Sequence, residues 1–164
     1  MTEHPNVTFV KSLFQKDKNK NISLADYDKG GFASNYHPNL TYVGTSARGE
    51  LQVCLGNNAL LAMAQEPAAL MDSDGPGEEL LACIAFGDEL VSVHARSHRK
   101  IKKTGERVSY EWVMTVRVEN GIVTRGVDVG EAKIDKMYKT LQGLPQDVPV
   151  TSIVVSSGTA SGKV

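Results

Sequence analysis

From Val91 to Ser97 and again from Val108 to Val118 the chain places an apolar or small residue at every second position, in two runs joined by the turn "TGE" at Thr104 to Glu106. A period of two belongs to a strand, because successive side chains on a strand point to opposite faces. In "ELVSVHARSHRKI" the residues Val91, Val93, Ala95 and Ser97 share one face, while Ser92, His94, Arg96 and His98 share the other. In "RVSYEWVMTVRV" the residues Val108, Tyr110, Trp112, Met114, Val116 and Val118 fall together. The Asn-Gly of "ENG" (Glu119 to Gly121) makes the next tight turn, and "GIVTRGVDVG" is a third run. A meander with one apolar face has to cover that face with something else.

The cover comes from upstream. Val7, Val10, Leu13 and Phe14 recur at helical spacing, and Ser23 with Asp26 marks the start of a second helix reaching Phe32 or Tyr36. "HPN" (His37 to Asn39) reads as a turn before the short strand Leu40 to Thr45. "NNALLAMAQEPAALM" is a helix that Pro67 interrupts or restarts, and "DSDGPGE" (Asp72 to Glu78) is a loop by composition. Then come a strand in "ELLACIAFG", a Gly87-Asp88 turn, the meander, and a closing helix from Glu131 to Leu141. The expected fold class is α+β: a curved antiparallel sheet wrapped around N-terminal helices, cone-shaped with an internal apolar pocket. The expected domain spans 1–145. Residues 146–164 form a C-terminal extension, with a strand-like run Val148 to Val155 and then a disordered Ser/Gly-rich tail.

Bulk numbers exclude several classes. A formal net charge of −1 leaves no electrostatic footprint for nucleic acid, and the basic run "RSHRKIKK" reads as a solvated strand end. Cys54 and Cys83 sit among apolar residues without a His or Cys at ligand spacing, so free buried thiols are expected and a zinc site is not. No secretory signal or membrane span is apparent, and a cytoplasmic protein is expected. No metal and no cofactor are expected.

The succession "GDELVSVHAR", "TGERVSYEWVMTVRVENGIV" and then an acid resembles the nuclear transport factor 2-like superfamily, in its SnoaL-like branch, over roughly residues 5 to 142. That superfamily includes ketosteroid isomerases, polyketide cyclases, scytalone dehydratases, limonene-type epoxide hydrolases, and noncatalytic binding or dimerisation modules. In the epoxide hydrolases a Thr-Gly turn, an Asx/Glu-Gly turn and a water-activating aspartate follow at a spacing that Thr104-Gly105, Asn120-Gly121 and Asp128 reproduce without a gap. Tyr42 in "TYVGT" matches a cavity tyrosine. The family's Arg and second Asp fall on Ala95 and Ser97, and its cavity asparagine falls on Gly44.

The resemblance implies that Asp128 is a base among Tyr110, Trp112 and Met114, where burial raises a carboxyl pKa. The alternative is an acid that caps the next helix or pairs with Arg125 or Arg96. His94, His98 and Tyr42 are the candidate acid or oxyanion partners, the histidines facing the pocket only if a bulge reverses their register. Candidate substrate-binding residues are Tyr110, Trp112, Met114, Ala95, Ser97, Gly126 and Met63, with Gly126 and Gly44 widening the cavity. The outward positions Val123, Arg125, Val127 and Val129 are apolar enough to imply a homodimer through the outer sheet, or cover by the C-terminal run. The expected function is a cofactor-independent cyclase, isomerase or lyase acting on a small apolar or multi-ring molecule. A noncatalytic ligand-binding or dimerisation module, and an epoxide hydrolase-like enzyme with altered partners, are the alternatives.

Overall fold

The structure, a computed structural model, describes residues 2–15, 35–45, 50–146 and 153–158. The helix expected from Ser23 lies outside these residues, as do most of the expected tail and the start of the run at Val148. Helix α1 (Pro5–Gln15) opens on a proline, whose missing N–H is an orphan donor at that position anyway. It buries Val7, Val10 and Phe14 against the sheet. Strands β1 (Tyr36–Thr45) and β2 (Leu51–Leu55) pair antiparallel and lead into helix α2 (Asn57–Leu70). Pro67 does not break α2. It lies in the final turn, which closes where the Met71 N–H bonds the Pro67 carbonyl.

Strands β3 (Met71–Phe86), β4 (Leu90–Ile101), β5 (Arg107–Glu119) and β6 (Ile122–Gly130) form the expected meander. Asn120 and Gly121, both at positive φ, make the two-residue β5–β6 turn, as Asn-Gly does in tight hairpins. Helix α3 (Ala132–Gln142) ends at Gly143 in the left-handed region, and β7 (Ile153–Ser157) follows. Among the described residues the sheet order is β3-β4-β5-β6-β1-β2-β7, seven strands with one apolar side packed on α1 and α2. The architecture is α+β, as expected. The sheet is mixed, because β1 runs parallel to β6 and β7 parallel to β2. "LQVCL", which gave no strand signal, is β2, and Cys54 within it is fully buried. Among the described residues no helix is long and apolar enough to cross a membrane.

Irregularities in the ladder decide which residues face inward. "DSDGPGE" is part of β3: pairing with β4 stops after Ser73 and resumes at Glu78, with Gly75 and Gly77 at positive φ between them. "HPN" is likewise inside β1, where pairing with β6 jumps from Tyr36 to Thr41. On β6 the partners change from Val118↔Val123 to Arg117↔Arg125, so one step on β5 matches two on β6 and Thr124 is a bulge. Strict alternation puts Val123 on the outer face with Val127 and Val129. The bulge instead turns Val123 into the core at 0% exposure, while Val129 stays 64% exposed. Val123→Ala is expected to destabilise the protein by about 2 kcal/mol in chemical denaturation, the scale for losing buried methyl groups. A loss under about 0.5 kcal/mol, the surface scale, would place Val123 outside the core.

Candidate functional site

Past Thr124, Gly126 and Asp128 point to the same concave side as Val123, and a cavity of about 300 Å³ lies there beneath α2 and α3. Met63 supplies one wall, and Tyr110, Trp112 and Met114 form the floor on β5. Trp112 is held in place by a stacked contact with Phe14, ring centroids 6.0 Å apart. Its Nε1 donates to Ser97 Oγ at 2.8 Å, and Ser97 Oγ donates to Glu78 Oε2 at 2.7 Å.

Asp128 lies in the cavity wall with Tyr42 and Thr45. Its carboxylate accepts hydrogen bonds from the Tyr42 hydroxyl and the Thr45 backbone N–H. Burial raises its pKa above the usual aspartate value and outweighs these two bonds, which act in the opposite direction. Tyr42 is pushed well above the usual phenol range, first by burial and then by the negative charge of Asp128, so it stays a donor. Arg96, one expected alternative partner of Asp128, is bound to Glu111 and Glu79 instead.

Two glycines let this couple form. A Cβ at Gly44 would stand 2.9 Å from both carboxylate oxygens of Asp128, and a Cβ at Gly126 would stand 2.5 Å from Tyr42 Cδ2. The expectation that Gly44 and Gly126 widen the cavity is therefore corrected. The space they leave is filled by Asp128 and Tyr42, and Gly126 itself does not line the cavity.

Ala95 is also corrected: it is fully buried in the core and outside the cavity lining. His94 and His98 face the outer side, because the β4–β5 register runs from Leu90 to Lys100 without a bulge. His94 Nε2 lies 2.7 Å from Glu111 Oε2, and His98 Nε2 lies 3.2 Å from Glu79 Oε2. Neither imidazole is placed to serve Asp128. The structure thus brings together Asp128, Tyr42, Tyr110, Trp112, Met114, Ser97 and Met63, and leaves His94, His98, Ala95 and Gly126 apart.

Sequence reasoning missed Glu78, Arg99, Asp135 and Tyr138 in the lining. Arg99 was within reach, since the alternation through Ser97 continues to it. Glu78 was hidden in a segment of loop composition. Tyr138 projects from α3 and shares a hydrogen bond with Tyr110; burial, above all, raises its phenol pKa.

No protein-family model matches the sequence, and no curated protein matches it. Solved structures do match in shape. A nuclear transport factor 2-like protein from Burkholderia xenovorans superimposes with a TM-score of 0.61 at 20% identity, over 84% of this chain and 98% of that one. The chain has the nuclear transport factor 2-like fold. A protein of ketosteroid isomerase-like fold from Catenulispora acidiphila, in complex with trimethylamine, gives a TM-score of 0.59 at 16% identity over 89% and 98% of the two chains. TerC, co-crystallised with polyporic acid, gives 0.60 at 16% identity over 84% and 98%. At these identities the likeness is one of fold, and a nuclear transport factor 2-like cone hosts more than one activity.

Gly126→Ala is expected to cost about 1–3 kcal/mol by overpacking the buried Tyr42 ring. Gly44→Ala is expected to displace the Asp128 carboxylate. Denaturation and a crystal structure of each variant check these outcomes; an unmoved Asp128 in Gly44→Ala would show that the glycine is not what admits it.

Proposed function

We propose that this protein is a cofactor-independent acid–base enzyme, an isomerase, cyclase or lyase, acting on a neutral apolar carbonyl compound of more than one ring, with Asp128 as its base. The observation that carries this reading is the position of Asp128: a carboxylate with a raised pKa in the wall of an apolar cavity, oriented by the Tyr42 hydroxyl and the Thr45 amide. A carboxylate so placed is a stronger base than one in water and suits removal of a proton next to a carbonyl. The C–H bond breaks, its electron pair moves into the enolate, and the proton rests on Asp128. Return of that proton to another carbon completes an isomerisation; attack of the enolate on a second carbonyl, with the proton passing from Asp128 to the alkoxide that forms, completes a cyclisation. Tyr42 fixes the carboxylate without sharing the proton, because its own pKa lies far above that of the acid. Epoxide hydrolysis draws no support, since Ala95 is core and Ser97 is committed to Glu78 and Trp112.

The small molecules in the two ligand-bound relatives, polyporic acid with TerC and trimethylamine with the Catenulispora protein, favour an organic occupant here too. We also propose that two copies pair through the outer sheet. Val127, Val129, Val113 and Ile84 are exposed there, and β7 extends the sheet beside β2 instead of covering them. Sedimentation should show a dimer that Val129→Lys dissociates; a monomeric wild type would refute the pairing.

The enolisable bicyclic ketone 2-tetralone tests the chemistry. In deuterated water the protein should accelerate exchange of its α-protons, seen by NMR. Asp128→Asn should lower that rate by about 10²–10⁴-fold. The rate should rise with pH as Asp128 ionises, with a midpoint above the usual aspartate range. Tyr42→Phe removes a hydrogen bond that favours the charged form, so the midpoint should move to still higher pH. Binding without Asp128-dependent exchange would favour a noncatalytic ligand-binding module.

A further inference from the structure

The cavity has a second polar end that the acid–base reading does not use. Arg99, 4% exposed, forms an ion pair with Glu78, whose side chain is 12% exposed. Both line the cavity. Glu78 also accepts from Ser97 Oγ at 2.7 Å, and Ser97 accepts from Trp112 Nε1 at 2.8 Å. Arg99 Nη1 donates to the His98 carbonyl at 3.0 Å and to the Gly77 carbonyl at 3.4 Å. Arg99 Nε is buried without a hydrogen-bond partner.

Such a pair is a poor stabilising device. Burying both charges costs several kcal/mol per ion, and apolar residues of similar volume often serve a core as well or better. A buried N–H left unbonded adds to that cost. The carboxylate meanwhile has spare acceptor capacity, since two oxygens offer about four lone-pair sites and the arginine and serine use only some of them. An incompletely bonded ion pair in a cavity wall is suited to a ligand group that can both donate and accept.

Charge narrows the choice. Among the described residues the lining holds one cation, Arg99, against the acids Glu78, Asp128, Glu131 and Asp135. Arg99 is already neutralised by Glu78, so an anionic ligand meets no uncompensated positive charge. A neutral hydroxyl or phenol meets both a donor and an acceptor. Distance is the remaining constraint. Asp128 opposes Met114 on β5, while Ser97 on β4 opposes Tyr110, four residues further along β5. At about 4.8 Å per strand and 3.3 Å per residue the two backbones are roughly 16 Å apart on a flat sheet, and closer on a curved one. A rigid two-ring skeleton, with its reacting carbon against Asp128 at one end and a hydroxyl making a hydrogen bond of about 3 Å at the other, spans a gap of that order once the protein side chains reach inward.

We infer that Glu78 and Arg99, with Ser97, form a subsite for a neutral hydroxyl or phenol at the end of the substrate remote from the carbon that Asp128 deprotonates. The substrate class is then a hydroxylated multi-ring ketone, polar at both ends and apolar over Trp112 and Met114. This rests on the proposed acid–base reading, and the experiment separates the two.

Affinities of 2-tetralone, 6-methoxy-2-tetralone and 6-hydroxy-2-tetralone are measured by calorimetry on the whole protein. The hydroxy ketone should bind at least about tenfold more tightly than the others, a difference of about 1.4 kcal/mol. The methyl ether should gain little, because it cannot donate to Glu78. In the double variant Glu78→Leu with Arg99→Met, which removes both charges together and so leaves neither unpaired, the three ketones should bind alike. Near-ultraviolet circular dichroism checks that this variant is folded. If it is not, Ser97→Ala serves in its place, and the preference should shrink. Equal affinities in the wild type, or a preference that survives the variant, would overturn the subsite. If 2-tetralone undergoes Asp128-dependent exchange without any gain from the hydroxyl, only the subsite falls. If no ketone binds or exchanges, the acid–base reading falls and the subsite falls with it.

Discussion

One extra residue in β6 governs both the core and the candidate site. With Thr124 bulged out of the ladder, Val123 fills the core and Gly126 and Asp128, further along the same strand, also face inward. Regular alternation would set odd-numbered Val123 and even-numbered Asp128 on opposite faces. The chain would then lose either a core valine or its cavity acid. The neighbouring strand is irregular at the matching place, because β1 leaves the ladder between Tyr36 and Thr41 and then brings Tyr42 alongside Gly126. The bulges on β1 and β6 therefore act together: they align Tyr42, Gly44, Gly126 and Asp128 on two adjacent strands.

That alignment creates a site at a cost in stability. An aspartate pressed into an apolar wall loses hydration, and its two hydrogen bonds do not restore the usual pKa. Tyr42 also loses hydration, at a smaller cost because it stays neutral and donates its hydrogen bond. The glycines on each strand are the steric condition for this arrangement, and their lack of side chains is what brings phenol and carboxylate into contact. At the other end of the cavity a second buried polar group, the Glu78–Arg99 pair, is also retained where an apolar packing would serve stability better. Under the proposed function both belong to a binding cavity, where local rules of burial give way to function.

Much of the fold was legible because its signals are local. The alternation in β4 and β5 is regular, and the burial pattern follows it residue by residue from Val91 to Ile101. The same regularity gave the correct outward direction for His94 and His98, whose proposed pocket role required a bulge that β4 does not have. Reading failed where chain direction or register is set by distant partners. The stretches "HPN" and "DSDGPGE" have turn composition, yet each is an interruption inside a longer strand that is held on both sides by a neighbour. Glu78 enters the cavity through one of these interruptions. Likewise β2 carries too few residues to announce itself, and it is held between β1 and β7, which supply its hydrogen bonds.

The sequence by itself determined the α+β class, the order of the meander, its apolar face, and Asp128 as the acid to examine. The first three rest on periodicity and turn chemistry, which act over a few residues; the last rests on the resemblance of the turn spacing to that of the limonene-type epoxide hydrolases. Only the tertiary structure decided that Tyr42 is the partner of Asp128, that Gly44 and Gly126 make room for that pair, and that Glu78 and Arg99 face the same cavity. These depend on the register between strands far apart in the chain. A one-residue shift in that register reverses every side chain beyond it, and nothing within a single strand reports where the shift occurs.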